Sequence, residues 1–437
     1  MGEALELAYR TDRGRVLAGL IGIVKDFDLA EDALQDAFTA AAASWPRSGI
    51  PANPAGWLMT TARHKVVDRL RRAAAAERRH RVWGELSIAW DAGEGTGPIA
   101  DDRLRLIFTC CHPALSLEAR VALTLRSLGG LSTDEVARAF LLSAPALAQR
   151  IVRAKRKIRE AGIAYRVPSP DQLPERLDAV LTVIYLIFNA GYLAGSGAEL
   201  VRVDLCDEAL RLAGLVVDLL PDEPEPLGLA GLLYFQDSRR AARVDAEGQP
   251  LTLEEQDRGR WDRDKANNGF ALLHQARAKH AVGPYQLKAA IGALHTGAPQ
   301  ASLTDWATIV LLYDRLLEWE PTPIVHLNRA VAVAMADGPA DGLAILEDAH
   351  LVAELDDYHL FHSTRADLLR RSGRLDEAAT AYRRARDLTD NAVEQSFLGR
   401  RLDELAASFD DHSSTVSRSG AAATGTTRSG GRSARTR

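Results

Sequence analysis

Two short stretches carry most of the chemistry this chain advertises. Between Thr60 and Val82 there are eight Lys or Arg (Arg63, Lys65, Arg69, Arg71, Arg72, Arg78, Arg79, Arg81) against the acids Asp68 and Glu77. Between Ala144 and Arg166 there are seven (Arg150, Arg153, Lys155, Arg156, Lys157, Arg159, Arg166) against Glu160 alone. Each stretch is therefore near +6 in a protein whose formal net charge is −5. Cations gathered in this way bind phosphate backbone by releasing counterions, with an affinity that falls steeply as salt rises. Arg and Gln can in addition bond base edges. One such run is as often a solvated face as a binding surface. Two runs, each closing its own small helical unit, point to DNA. A third stretch is acidic: Leu29-Ala-Glu-Asp32-Ala-Leu-Gln35-Asp36-Ala-Phe38 reads either as a solvated face or as a docking face for a partner.

Helices must present these groups. In the second basic stretch, Leu131 to Phe140 reads as a helix opened by Ser/Thr with acids in its first turn. Leu141 to Ser143 is then a turn, and Ala144 to Arg159 a second helix. Its apolar stripe, Leu147, Ile151, Ala154 and Ile158, is spaced by 4, 3 and 4 residues, which is one face of an α-helix. Gln149, Arg150, Arg153 and Lys157 lie off that stripe. This is helix-turn-helix spacing, with Ala137 the small residue that a tight crossing needs. The first basic stretch follows Asn53-Pro54, and proline suits a first helical turn. Trp57, Leu58, Ala62, Val66 and Leu70 form a core stripe, leaving Arg63, His64, Asp68, Arg69 and Arg72 facing outward. In the acidic helix, Leu34, Ala37 and Phe38 face inward.

The rest of the sequence sets the frame. With 437 residues, 46% apolar and 26% charged, and rich in Ala, Leu and Arg, the chain has room for about three domains and favours helix. No β pattern of any length occurs, so the fold class is all-α: two small helical DNA-binding domains, the second a helix-turn-helix, then a helical-repeat-like C-terminal domain and a disordered tail. The boundaries are 1–82, a flexible acidic linker 83–100, 101–166, 167–410, and a Ser/Thr/Gly/Ala/Arg tail 411–437 too poor in apolar residues to offset its chain entropy. Ala330, Gly342, Leu346 and Ala349 recur 36 residues later as Ala366, Ala378, Tyr382 and Ala385, close to the tetratricopeptide period of ~34. Glu208, Ala209 and Ala213 look like half of a further unit. The uncharged stretch Ala179 to Ala198 reads as a buried helix ending near Gly191 rather than a membrane span, so no membrane partner is expected.

Three cysteines, two of them vicinal, make no disulfide framework and fit a reducing cytoplasm. The N-terminus lacks a signal-peptide pattern. Cys110-Cys111-His112 lacks the second ligand pair of a structural zinc site, so no metal or other cofactor is expected. His274, His280 and His295 accompany no catalytic motif, and the protein is not expected to be an enzyme.

These residues, in this order, resemble the extracytoplasmic-function sigma factors of the sigma-70 family. Asp32 to Phe38 resembles their region 2.2, Trp57 to Arg72 regions 2.3 to 2.4, and residues 103–162 region 4. The remainder, including Gln256-Asp-Arg-Gly-Arg-Trp261 and Leu327-Asn-Arg-Ala-Val-Ala-Val333, is similar to the subgroup with a tetratricopeptide-like C-terminal extension, which stands there in place of a dedicated anti-sigma partner. The resemblance implies that Asp32, Gln35 and Asp36 contact the β′ clamp of core RNA polymerase. It implies that Arg63, His64, Asp68, Arg69, Arg71 and Arg72 melt and read the −10 element of promoter DNA. Gln149, Arg150, Arg153 and Lys157 would read the −35 element, and the extension would regulate, through a protein or peptide partner. His64 stands where many relatives carry Asn, and Ala144-Pro145-Ala146 replaces a small polar helix start. Two other classes compete: a helix-turn-helix regulator with a peptide-sensing repeat domain that acts without being a polymerase subunit, and an enzyme fused to a DNA-binding module. The sigma reading is preferred because one recognition helix explains only one basic run.

Overall fold

The computed structural model describes the backbone of residues 2–77, 99–129, 131–139, 142–192, 196–197, 201–246 and 248–423. The expected linker 83–100 lies almost wholly outside the described residues, as do Arg78, Arg79 and Arg81 of the first basic run, residues 140 and 141 where the first helix of the expected helix-turn-helix meets its turn, and residues 424–437 of the expected tail.

Helix dominates, as expected. The described chain folds into two compact bodies. The first comprises residues 1–194, 201–240 and 260–296, and the second residues 195–200, 241–259 and 297–437. The sequence boundaries near 82, 101 and 167 all fall inside the first body.

The first body opens with three helices, α1 (Gly2–Val24), α2 (Phe27–Ser48) and α3 (Pro54–Glu77). Asp26 caps α2 by accepting from the Leu29 amide at 3.0 Å, and Asn53 caps α3 by accepting from the Gly56 amide at 2.9 Å. Trp45 of α2 meets Trp57 of α3 edge to face, ring centroids 5.6 Å apart. Next come α4 (Ile99–Cys110), α5 (Leu117–Ser127), α6 (Thr133–Ala139) and α7 (Ala144–Glu160). Ser143 caps α7, accepting from the Ala146 amide, and Pro145 sits harmlessly in its first turn. Then follow α8 (Leu173–Tyr192), α9 (Val203–Leu219), α10 (Pro224–Ser238), α11 (Arg263–Arg277) and α12 (Pro284–Gly297).

One apolar core runs through the whole of this body. It joins Leu17 and Ile21 of α1, Leu58 and Val66 of α3, Leu106 and Phe108 of α4, Ile151 of α7, Ile184 and Phe188 of α8, and Leu205 and Leu212 of α9. α8 ends one residue beyond Gly191, and that glycine is needed: a Cβ there would lie 2.8 Å from the Cys206 amide nitrogen. Arginines tie the segments together by capping helix C-terminal carbonyls. Arg13 of α1 bonds the carbonyls of Arg126 and Ser127, and Arg211 of α9 bonds that of Leu128 at 2.8 Å. Arg176 of α8 bonds Phe108 O at the end of α4. Among the described residues no helix is long and apolar enough to cross a membrane.

The second body contains α13 (Trp306–Leu317), α14 (Pro323–Ala336), α15 (Pro339–Leu346), α16 (Ala349–Leu355), α17 (His359–Arg371), α18 (Leu375–Asp387) and α19 (Ala392–Ala423). A two-residue parallel ladder pairs β1 (Ser196–Gly197) with β2 (Asp390–Asn391) in the register Ser196↔Asp390. The helical pairs α14/α15 and α17/α18 sit on the residues that recur in sequence. Gly342 is pressed against Ala330 and Ala334, and Ala366, Ala378, Tyr382 and Ala385 are all buried. Ala349 departs from the pattern, being exposed at the start of α16.

Candidate nucleic-acid interface

α3 and α7 are built alike. In α7 the stripe Leu147, Ile151, Ala154 and Ile158 is buried, as its spacing predicts, so that Gln149, Arg153 and Lys157 are exposed and Arg150 half-buried. Arg153 Nε lies 3.4 Å from Gln149 O, which steadies its stem along the helix while its other donors stay outward. In α3, Leu58, Ala62 and Val66 are fully buried with Trp57 and Leu70 half-buried; His64, Asp68, Arg71 and Arg72 are exposed. Arg63 and Arg69 are half-buried, more enclosed than their position off the stripe implies.

The reasons differ. Arg63 Nε is buried and has no hydrogen-bond partner among the described residues. A buried guanidinium donor in that state carries a desolvation cost. Arg69 instead turns towards α2. Its Nε and Nη2 lie 3.2 and 2.9 Å from Asp36 Oδ2, and its Nη1 bonds Asp32. The Asp36 hydrogen bond, and to a lesser degree Asp32, holds the guanidinium above its ordinary pKa.

On α2, Asp32 and Gln35 are exposed and Asp36 half-buried, while Leu34, Ala37 and Phe38 are buried as expected. Asp28 and Glu31 extend the acidic row by one turn, and there α7 reaches it. Lys155 Nζ lies 3.1 Å from Asp28 Oδ1 and 2.9 Å from Glu31 Oε2, and Arg159 Nη2 3.2 Å from Asp28 Oδ2. Lys155 is only 8% exposed, which its membership of a charged run did not signal. Periodicity gives one hint: Lys155 follows Ile151 by four residues and adjoins Ala154, on the edge of the buried stripe.

Cys110, Cys111 and Cys206 are buried free thiols, and among the described residues no group of His, Cys, Asp and Glu is arranged to hold a metal ion.

Two cationic helices with an acidic helix beside them are the parts that a promoter-recognition factor needs, and comparison with known proteins agrees. Sigma-70 region 2 matches residues 8–76, which cover α2 and all but the last residue of α3, and sigma-70 region 4 matches residues 105–158, which cover α5, α6 and all but the last two residues of α7. A family of unknown function (DUF6596) matches residues 176–277, from α8 into α11. An uncharacterized protein of Rhizobium meliloti (strain 1021) is 42% identical over 412 residues, covering 92% of this chain and 96% of that protein. The chain belongs to the sigma-70 family of transcription initiation factors, with regions 2 and 4 followed by a C-terminal extension. Membership implies binding to core RNA polymerase and to promoter DNA.

Proposed function

We propose that this sigma factor grips the β′ clamp of RNA polymerase through Asp32, Gln35 and Asp36 of α2 while α3 and α7 engage two separate promoter elements. Arg63, His64, Asp68, Arg71 and Arg72 act at the −10 element, while Arg69, paired with Asp36 and Asp32, orders the docking carboxylates beside it. Unstacking a base there costs a few kcal/mol, which contacts to the extruded base return. Gln149, Arg150, Arg153 and Lys157 read the −35 element and its phosphates from the major groove. The observation that carries this reading is that both helices bury an apolar stripe and turn cations to solvent, one in each sigma region. The second body acts as a tetratricopeptide-like regulatory module for a protein or peptide partner, supported by the small residues packed between α14 and α15 and between α17 and α18. The factor works in the cytoplasm, where its polymerase is.

Run-off transcription tests the reading. Purified full-length protein with core polymerase should direct transcripts from specific promoters identified by mapping the RNAs that rise on overexpression. Binding to closed duplex DNA with no polymerase-dependent transcript would replace the sigma reading with an ordinary helix-turn-helix regulator.

A further inference from the structure

The outward face of α7 is not uniformly cationic. The buried stripe Leu147, Ile151, Ala154 and Ile158 fixes which way the helix points, and at ~100° per residue Gln149 and Arg156 lie closest to the opposite direction, both exposed. Arg153 follows on one side, then Lys157 and the half-buried Arg150. On the other side stands Val152, 63% exposed, with exposed Ala148 one turn before it.

Packing does not account for Val152. Its side chain lies outside the apolar core that takes its neighbour Ile151. Helix propensity does not account for it either, because branching at Cβ restricts χ1 and makes valine a poorer helix former than the Ala, Arg, Lys and Gln around it. A lone exposed aliphatic residue is ordinary on a surface, but the position of this one is not. It follows Gln149 by three residues and precedes Arg156 by four, the spacings at which side chains on a helix are neighbours. It also sits within one residue, or ~1.5 Å along the axis, of Arg153. A groove deep enough to bring Gln149 and Arg153 to base edges therefore brings the Val152 isopropyl group to them as well.

We propose that Val152 is a specificity residue that packs against the C5-methyl group of a thymine in the −35 element, beside the base pair that Gln149 or Arg153 reads. Among the four bases only thymine shows a methyl group in the major groove. Set against adenine N7, guanine O6 or the cytosine amino group, the same isopropyl group would strip water from a polar atom and give no hydrogen bond in return. Val152 thus favours thymine and penalises the other three bases by one contact. The inference rests on the reading of the −35 element by α7 and adds one base identity to it, an A·T pair with its thymine turned towards Val152.

The test uses full-length protein with core polymerase and a promoter found by transcript mapping. Each thymine of the −35 element, on either strand, is replaced in turn by uracil, which removes the C5-methyl group and keeps every hydrogen-bonding group. Wild type should lose affinity about fourfold at one of these positions, the worth of one buried methyl group. Val152→Ala should bind the thymine promoter about fourfold more weakly than wild type does and be indifferent to uracil at that position. Alanine is the better helix former at this exposed site, so the variant keeps its fold. A −35 element with no A·T pair, the lack of any uracil-sensitive position in wild type, or undiminished sensitivity in Val152→Ala would each overturn the inference. Arg150→Ala and Arg153→Ala separate two levels of failure. If they shift −35 selectivity while uracil does nothing, the thymine contact alone is lost; if they shift nothing, α7 does not read bases, and the role of Val152 falls with that reading.

Discussion

Arg69 of α3 and Asp36 of α2 form a two-pronged ion pair, with Nε and Nη2 both on the Oδ2 of Asp36, and the same guanidinium also holds Asp32. An arginine in the segment that resembles a −10 reader thus organises the two carboxylates in the segment that resembles a polymerase-docking face. Removing it should act on docking. Arg69→Ala leaves Asp32 and Asp36 unrestrained and adjacent. Because the pair is roughly a third exposed, its loss costs only ~0.2–1 kcal/mol of stability. Polymerase affinity should change by more than promoter selectivity does, measured by competition for core enzyme and by transcription from matched and mismatched promoters. A changed −10 preference with unaltered core binding would place Arg69 with the DNA instead.

In α7, Arg150→Ala and Arg153→Ala should each weaken promoter binding, and discrimination against −35 mismatches should fall by ~1–3 kcal/mol at any base read by two hydrogen bonds. Lys157→Ala should weaken binding evenly across sequences and lower the salt slope by about one. Binding of a panel of −35 variants at several salt concentrations separates the two behaviours. An unaltered profile for both arginine variants would remove α7 from base reading.

How much of this was legible in the sequence depends on the range of the interaction. The stripe of α7 and that of α3 follow from local periodicity; the first is buried throughout, the second at Leu58, Ala62 and Val66, with Trp57 and Leu70 half-buried. The Asn53-Pro54 start of α3 and the Ser143 cap of α7 are likewise local, and sequence alone places them. Lys155 shows the limit. By composition it is one cation among seven, and its burial is decided by carboxylates 124 and 127 residues earlier in the chain. Arg69 is a second case: helical spacing sets it off the stripe, but whether it meets water, DNA or α2 depends on how two helices cross. The recurrence at 36 residues found the small residues between helix pairs, while exposed Ala349 shows that one matching position is fixed by sequence rather than by packing.

Burial pushes the Cys111 thiol up to about 11, its bond to Thr124 offsetting part of the effect, and Cys110 is pushed up well above its ordinary value for the same reason. The neutral thiol is the inert form. In the folded protein at pH 8 neither should react quickly with a thiol reagent, whereas the unfolded chain should titrate all three cysteines. The sign for stability follows. Between the ordinary thiol pKa and about 11 the unfolded chain releases a proton that folded Cys111 keeps, so stability falls as pH rises through that window, by on the order of 3 kcal/mol in all. Urea midpoints from pH 8 to 11 measure this, and Cys111→Ser, which keeps a hydroxyl towards Thr124 but does not titrate, should flatten the decline. A decline of equal size in the serine variant would assign it to other groups.

The composition breaks near 82, 101 and 167 invite the view that regions 2 and 4 stand free of the extension. The core says that α8 and α9 belong with them. Leu177, Val180, Leu181, Val183, Ile184, Ile187 and Phe188 of α8 are all buried in the cluster that includes α4, α5 and α7. At ~1.5–3 kcal/mol for each large apolar side chain buried, stripping α8 away removes as much as the whole ~5–15 kcal/mol by which a domain is ordinarily stable. It also strips Arg176 from Phe108 O and Arg211 from Leu128 O, uncovering the ends of α4 and α5. A chain ending at Arg166 should therefore aggregate or unfold without cooperativity, while one ending at Thr296, which keeps α8 to α11 and nearly all of α12, should unfold cooperatively and still bind DNA. Circular dichroism melts of the two, alongside the full chain, give the comparison. Equal midpoints for all three would show that the shared core adds nothing to the stability of the DNA-reading helices.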